Sequence, residues 1–468
     1  MSAIEGIERG LATRGRHVLA QRGGKLVNRT VAGCLLIALA GAAGAGCAEP
    51  GNSDKEPGQR VEWLGRKAAR VRSIDLADDD FADLEPLARA VGDARIILLG
   101  EASHGDGATF LAKGRLIRFL HQRLGSDVLV WESGFYECDK AAEALAAGVS
   151  WREAFGKAVL PIWANSEQCR PVMEYVQATQ QTDRPITLAG LGWYVSDQTK
   201  LFDDLIAFFE AVDPTWPSPD QRQALASIQT MLDTRGDRSR PPKPIEPPEL
   251  VQLRALADLL DRDSAGRVSA MHGRRRIGFM RRVLENLEAY VVYLNSPPTR
   301  GGADDNPLGM IEGHNAVFLA SEYFPNRKLI VWAHNGHLTR GSSQIEELES
   351  KFRINQTIAA GQHIHNDLGD GVYSIMFITH NGQTGLWWNE PAELPAPPVG
   401  SLEDLMHRVG LEHGFVDLRS LPRDHWLRSR LIAHPLAHRP MRADWSRVYD
   451  GVFFIDTMSP STSADPDD

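Results

Sequence analysis

The sequence predicts an α/β protein with a mainly parallel sheet flanked by helices and a helical insertion that forms part of an active-site cleft. Short apolar runs alternate with stretches of helical periodicity in the first part of the globular region, a pattern typical of βαβ units. Over residues 200–325 the periodicity is helical alone, and strand-like apolar runs then return. We therefore expect one sheet, interrupted along the chain by a helical insertion that could wall or cap a site.

The individual elements follow from these runs. Strands are predicted at 95–99, 128–131, 186–189, 329–332, 372–378 and 452–455, and helices at about 108–124, 138–147 and 167–179. In the insertion, Leu201, Leu205, Phe208 and Phe209 share one helical face. The continuous apolar character of the strand runs predicts that these strands are buried.

The composition is that of a soluble globular protein, with 43% hydrophobic and 24% charged residues. The net charge of −10 leaves no basic footprint for broad nucleic-acid binding. We therefore expect a small-molecule substrate and no nucleic-acid partner.

The pattern of residues 1–47 is typical of an export signal. Basic residues precede the apolar stretch 31–43, which has the length of a signal peptide's apolar region and is short for a membrane span. Gly44-Ala45-Gly46 before Cys47 resembles a lipoprotein cleavage box. The expected outcomes are a lipoprotein anchored to the membrane through Cys47 alone or a secreted periplasmic or extracellular protein, and a cytoplasmic location is the alternative.

The remainder divides into a tether, one domain and a tail. Residues 48–60 are small, polar and Gly/Pro-containing, which is typical of a tether, and 61–458 form the α/β domain. Residues 459–468 are rich in Ser, Pro and Asp, which predicts a disordered tail. Cys138 and Cys169 either form a disulfide or remain buried free thiols.

Two short motifs carry most of the candidate chemistry. The first is GEASHG, starting at Gly100, and the second is WAHNGH, starting at Trp332; each directly follows a predicted buried strand. A third such strand ends at Glu132. Sites in α/β folds are built where strands end. We therefore expect one shared acid–base site that contains Glu101, His104, Glu132, His334 and His337.

The spacing within the first motif suggests how this site works. A carboxylate at Glu101 can fix the tautomer of His104 and leave its other nitrogen basic. For this turn alone, the alternative is that Glu101 caps the next helix and His104 lines the turn. Lys113 lies on the apolar face of that helix, so it either pairs with Glu101 or Glu132, stabilises negative charge on a substrate, or snorkels to solvent.

Several familiar sites are absent from the sequence. It contains no Gly-x-Ser-x-Gly elbow, no Walker loop, no dinucleotide Gly pattern and no His-Glu-x-x-His helix. Glu101, His104, His334 and His337 are nonetheless residue types that can ligate a metal with one open position. We expect a site without metal or cofactor, and a metal-dependent site in the same cluster stays open.

Four blocks in chain order, LLGEASHG, KGRLIRFL, VLVWESGFYE and LIVWAHNGHL, resemble the erythromycin esterase family, and the resemblance extends more loosely from about residue 62 to 456. It implies an α/β fold with a deep cleft and ester hydrolysis without a serine nucleophile, the macrolide lactone being cleaved in characterised members. By this resemblance, His104 is the general base on water. Glu132 matches the Glu of the family's ES block, His334 matches the His of its AHN block, and Glu101 and His337 match supporting positions.

Some cleft positions depart from the family pattern. Ala108 stands where an acidic residue is usual, Lys113 where Arg is common and Gly192 where Asp is common. Aligned on Asn315, the usual Arg, Asp and Met are replaced by Leu308, Gly309 and Glu312. The resemblance therefore implies an ester or lactone hydrolase more firmly than it implies a macrolide substrate.

The expected mechanism assigns each group a role. His104, oriented by Glu101, takes a proton from water, and His334, Lys113 and His337 stabilise the oxyanion or protonate the leaving alkoxide. The alternatives are a metal-dependent hydrolase that uses the same cluster and a non-catalytic, lipid-anchored binding protein.

Overall fold

The computed structural model describes residues 57–192, 200–234, 247–262, 266–295, 307–349 and 353–464. The predicted export signal, with Cys47, lies outside these residues, so export and anchoring remain predictions. Within the described ranges, no helix combines the length and the apolar character that crossing a bilayer requires.

Most strands join a single sheet. The strands are β1 (Ala69–Val71), β2 (Ile96–Leu99), β3 (Ser126–Gly134), β4 (Thr187–Gly192), β5 (Lys328–Trp332), β6 (Glu346–Glu347), β7 (Val372–Thr384), β8 (Ala392–Glu393), β9 (His413–Asp417), β10 (Leu431–Leu436), β11 (Arg439–Ala443) and β12 (Gly451–Met458). The main sheet has the order β1-β9-β12-β7-β2-β5-β3-β4, with β8 paired to β7. Its pairs from β12 to β4 are parallel, and β1, β8 and β9 pair antiparallel. This confirms the mainly parallel sheet.

Helices fill the connections between strands. They are α1 (Pro57–Lys67), α2 (Glu85–Val91), α3 (Gly107–Leu124), α4 (Phe135–Ala146), α5 (Trp151–Ala158), α6 (Pro161–Ala164), α7 (Arg170–Thr179), α8 (Leu201–Glu210), α9 (Pro219–Thr234), α10 (Pro247–Arg262), α11 (Arg267–Asn295), α12 (Pro307–Phe318), α13 (Asn335–Leu338), α14 (Ala360–Leu368) and α15 (Leu402–Arg408). In the described residues, α8 to α12 occupy the connection between β4 and β5, in agreement with the helical insertion predicted over 200–325.

The central strands are buried on both faces. Alternate residues of a strand point to opposite sides of the sheet. In β2, Ile96 and Leu98 join one apolar core, whereas Ile97 and Leu99 join a second core on the other side. Covering both faces with helices explains why these strands are continuous apolar runs, as parallel sheets require.

The domain begins and ends differently from the prediction. The prediction of a tether over residues 48–60 is wrong for the last residues of that range. Helix α1 begins at Pro57 and places Leu64 in the core. The prediction of a disordered tail is wrong for residues 459–464. There the Ser461 amide donates to the carbonyls of Gly105 and Gly385, and the Ser459 carbonyl accepts from the Ala108 amide at the start of α3. These backbone bonds order a segment whose composition alone suggests disorder.

The two cysteines of the domain are separate. Cys138 and Cys169 are both buried free thiols, and burial raises the pKa of each thiol. The sequence left open either a disulfide or two free thiols, and the structure shows two free thiols.

We predict that Gly190→Ala destabilises the domain. A Cβ at Gly190 in β4 would lie 2.1 Å from the Gly134 carbonyl oxygen at the end of β3. Overpacking of this kind costs about 1–3 kcal/mol. Urea unfolding followed by circular dichroism should therefore show a lower midpoint.

The matched control is Gly156→Ala in α5. No atom lies within 4 Å of a Cβ built there. Since Ala is favoured over Gly in a helix by about 0.5–1 kcal/mol, its midpoint should be unchanged or higher. Equal midpoints for the two variants would contradict the close approach of β3 and β4.

Candidate active site

The five predicted site residues lie together at the carboxyl edge of β2, β5 and β3. Leu99 and Trp131 are both register partners of Trp332, so the three strands reach this edge at the same level. The pairing of β3 with β4 becomes irregular between Trp131 and Gly134, and such a bulge can re-aim the side chain that it contains, here Glu132.

The first turn forms a buried chain of charges. The Nδ1 atom of His104 lies 2.8 Å from Oε1 of Glu101, and Lys113 Nζ donates to Oε2 of Glu101 at 2.5 Å and to the Ala333 carbonyl at 3.2 Å. Lys113 is 0% exposed. Of the three roles expected for this lysine, the structure shows pairing with Glu101. A role in substrate or oxyanion binding does not fit, because the ammonium is enclosed by protein.

Glu101 remains ionised in this setting. Burial acts to raise its pKa, but the Lys113 charge and the hydrogen bond from His104 outweigh it and lower the pKa to about 2. An ionised carboxylate only accepts, so the proton between the two groups belongs to Nδ1 of His104.

His104 therefore presents a lone pair on Nε2. This atom has no hydrogen-bond partner among the described residues, and the side chain is 6% exposed. The arrangement leaves one oriented imidazole nitrogen that can accept a proton.

His334 is held by backbone groups. Its Nε2 donates to the Ala102 carbonyl at 2.8 Å, and its Nδ1 accepts from the Gly336 amide at 3.0 Å. Burial lowers its pKa to about 3, and the nearby His104 and His337 act in the same direction. His334 is therefore neutral and its one N–H points to a backbone carbonyl, so this geometry does not favour the predicted role in stabilising an oxyanion or protonating a leaving group.

His337 is the protonated histidine of the cluster. Its Nδ1 lies 2.7 Å from Oε2 of Glu312 and its Nε2 lies 3.2 Å from Oε1 of Glu132. Burial acts to lower its pKa, but the two carboxylates outweigh it and raise the pKa to about 10. Its side chain is 22% exposed. The second motif thus contributes a cation.

Glu132 connects the two histidines of that motif. Its Oε2 accepts from the backbone amide of His334 at 2.6 Å, while its Oε1 faces His337. Burial raises its pKa, and the charge of His337 opposes this shift. The carboxylate therefore fixes the position of the second motif against β3.

Glu312 is a member of the site that the sequence showed only as a departure from the family pattern. It lies on α12, in the helical insertion, and is almost fully buried. An acidic side chain within the largely apolar stretch 307–318 was the available signal, since a buried carboxylate needs a cationic partner. The insertion therefore contributes directly to the charge of the cluster.

Asp106 is a second residue that the sequence did not single out. Its Oδ2 accepts from the Ser103 amide at 3.0 Å, and its Oδ1 accepts from Thr384 Oγ1 at 2.7 Å and lies 2.9 Å from His438 Nε2. Asp106 is 0% exposed. These bonds fix the turn that carries Glu101 and His104.

A strained hairpin tip supplies His438. Strands β10 and β11 are joined by Ala437 and His438, which have φ of 48° and 53°. A two-residue turn with both φ positive normally uses Asn and Gly, because side chains disfavour this conformation. The Ala437 amide donates to the Ala102 carbonyl at 2.7 Å. The strain is thus located where the hairpin contacts the turn that carries Glu101 and His104, and strained backbone is common at functional sites.

The donor atoms of the cluster do not form a ready metal site. Both oxygens of Glu101, and both nitrogens of His334 and of His337, are engaged within the protein. Among the four residues considered as ligands, His104 Nε2 alone lacks a partner in the described part of the chain. Binding a metal with this set would require breaking several of these bonds.

We predict that the stability conferred by His337 depends on pH. The folded pKa of about 10 exceeds the unfolded value of 6.5, so proton binding stabilises the fold fully below pH 6.5 and this stabilisation is lost toward pH 10. The free energy of unfolding of the wild type should exceed that of His337→Gln most at pH 6, and the difference should shrink by pH 9.5.

The matched variant is His334→Gln. Its folded pKa of about 3 lies below 6.5, so the wild-type advantage should stay constant from pH 7 to 9.5 and fall as the pH drops toward 4. Urea unfolding across this range measures both trends. The same pH dependence in both variants would be inconsistent with opposite protonation states.

We also predict that His438→Ala lowers stability by about 1–3 kcal/mol, since it removes a donor from the buried carboxylate of Asp106. Arg439→Ala, at the exposed neighbouring position of the same hairpin, should change stability by less than about 0.5 kcal/mol. Equal losses in the two variants would mean that the His438–Asp106 contact is not stabilising.

Known proteins resemble this chain in sequence over nearly its whole length. The family model described as erythromycin esterase matches residues 121–458. YbfO of Bacillus subtilis is 22% identical over 419 residues, covering 85% of this chain and 91% of its own length. Erythromycin esterase type II of Escherichia coli is 22% identical over 440 residues, covering 86% of this chain and 98% of its own length.

Solved structures share the fold. A Bacillus cereus protein aligns with a TM-score of 0.73 at 18% identity, covering 88% of this chain and all of that chain. An erythromycin esterase variant in an open conformation aligns with a TM-score of 0.61 at 15% identity, covering 85% of this chain and 99% of its own. Since the family match spans more than half of the sequence, the chain belongs to the erythromycin esterase family and is a hydrolase.

Proposed function

We propose that this hydrolase cleaves an ester or lactone bond with a water molecule activated by His104. The observation that carries the proposal is the buried Lys113–Glu101–His104 chain, which directs Nδ1–H of His104 to a carboxylate and leaves Nε2 unpartnered among the described residues. No serine is required, because water itself becomes the nucleophile.

The proton transfers follow from this geometry. Nε2 of His104 takes a proton from water as the water oxygen bonds to the carbonyl carbon, and the bond from that carbon to the leaving oxygen then breaks. Glu101 stabilises the imidazolium that forms. Because the pKa of Glu101 is about 2, the proton taken from water stays on His104, which gives it to the leaving oxygen as the bond from that oxygen to the carbonyl carbon breaks.

We assign the stabilisation of negative charge to the cationic His337, which Glu132 holds in position. His337 is cationic and partly exposed, whereas the N–H of His334 is directed at a backbone carbonyl. A positive charge fixed near the reacting carbonyl lowers the energy of the oxyanion. From the sequence, this role was expected of His334, Lys113 and His337 together, and here it is assigned to His337 alone.

A macrolide lactone is the first substrate to test. The Escherichia coli relative is named an erythromycin esterase, and its similarity to this chain extends over nearly both full lengths. Simple aryl esters test the hydrolytic machinery without demanding a fit to a particular cleft.

We predict that His104→Ala lowers kcat/KM by about 10²–10⁴-fold on any macrolide or aryl ester that the wild type cleaves, the usual effect of removing a positioned base. The measurement is hydrolysis of a panel of both substrate types, with circular dichroism to confirm folding.

His121→Gln is the matched control. This histidine lies near the opposite end of the same helix, α3, where it contacts Tyr175 and the Arg184 carbonyl. It should retain wild-type activity. Full activity of His104→Ala would refute the assignment, and activity that is abolished by a chelator and restored by a metal would favour the metal-dependent alternative.

A further inference from the structure

We propose that His380, His407 and Asp456 form a binding site for one zinc-like divalent transition metal ion, separate from the catalytic cluster. The three residues come from different elements: His380 from β7, Asp456 from β12 and His407 from the end of α15. Neither the family match nor the proposed hydrolysis assigns a role to any of them.

The sheet register places two of these residues side by side. Ile455 pairs with Thr379 and Thr457 pairs with Asn381 in the parallel ladder, so Asp456 lies beside His380. The imidazole of His407 stacks on that of His380, with ring centroids 3.8 Å apart and an interplanar angle of 2°. Three side chains able to ligate a metal therefore meet on one face of the sheet.

The spacing suits a single ion. The candidate ligand atoms of the three side chains all lie within 4.8 Å of one another. In a tetrahedral zinc site with bonds of about 2.0–2.2 Å, ligand atoms are separated by about 3.3–3.6 Å. Because an ion lies in the plane of each imidazole that binds it, His407 must turn out of its parallel stack on His380 for both rings to reach one ion. The side chains of His407 and Asp456 are 45% and 23% exposed, which leaves room for this rotation.

The ligand nitrogens are available. Nδ1 of His407 lies 2.6 Å from Oδ1 of Asp456, so an ion can take the place of the proton that these two atoms share and bind both of them. Nδ1 of His380 lies 3.3 Å from the Asn381 amide nitrogen. The Nε2 atoms of both histidines have no hydrogen-bond partner among the described residues. This contrasts with the catalytic cluster, where protein groups engage nearly every donor.

The ligand set indicates the class of metal. Two imidazoles and one carboxylate suit zinc, nickel or copper better than calcium or magnesium, which prefer oxygen ligands. With three protein ligands, water completes the coordination. An ion held here would join α15 to two strands of the sheet and stabilise the folded state by mass action.

Zinc titration of the tag-free full chain, stripped with chelator and dialysed, tests the proposal. Isothermal titration calorimetry should show one zinc equivalent in the wild type that is missing, or at least about 10–100-fold weaker, in His380→Ala and in His407→Ala. Zinc should also raise the melting temperature of the wild type and not that of either variant.

Two further variants identify the site that binds. His104→Ala should keep this zinc equivalent, because it leaves the proposed ligands intact, and His121→Gln should keep it as well. The proposal is overturned if the wild type binds no zinc, or if both ligand variants bind as many equivalents with the same affinity. Loss of binding in His104→Ala alone would also overturn it, since the ion would then occupy the catalytic cluster.

Discussion

The ionised carboxylate of Glu101 is the constraint on which the rest of the site depends. A charge with no solvent exposure is tolerated only when it is paired, and Lys113 and His104 together provide that pairing. Lys113 is equally buried and rests over the Trp332 ring at 4.5 Å, so each charge requires the other. The strand ends and the first turns of α3 must all be in place before this group of charges is balanced.

A second set of charges complements the first. In it a cation, His337, lies between Glu132 and Glu312, whereas His104 in the first set faces one carboxylate. Environments that drive titratable groups toward different protonation states are typical of acid–base sites. The two histidine motifs look alike in sequence, yet their histidines have different partners, and within the second motif His334 and His337 are driven to opposite protonation states.

The predictable parts of the structure depend on short-range patterns. Apolar runs identify the central strands, and the three-residue spacing of Glu101 and His104 anticipates their bond. The different roles of His334 and His337 were not predictable, because they depend on the Ala102 carbonyl and on Glu312 in the insertion. The Ala437–His438 turn was equally hidden, since it lacks the Asn or Gly that usually marks such a turn.

The hairpin tip links the site to the order in which the chain is made. Asp106 and His438 are 332 residues apart, and the Ser461 amide that binds the Gly105 carbonyl comes later still. During synthesis, β2 and α3 leave the ribosome long before these partners have been made. A domain generally folds as a unit, so its early segments wait for the later ones. The turn that carries Glu101 and His104 therefore cannot reach its final geometry before these partners have been made, and a half-made chain lacks the complete cluster of side chains.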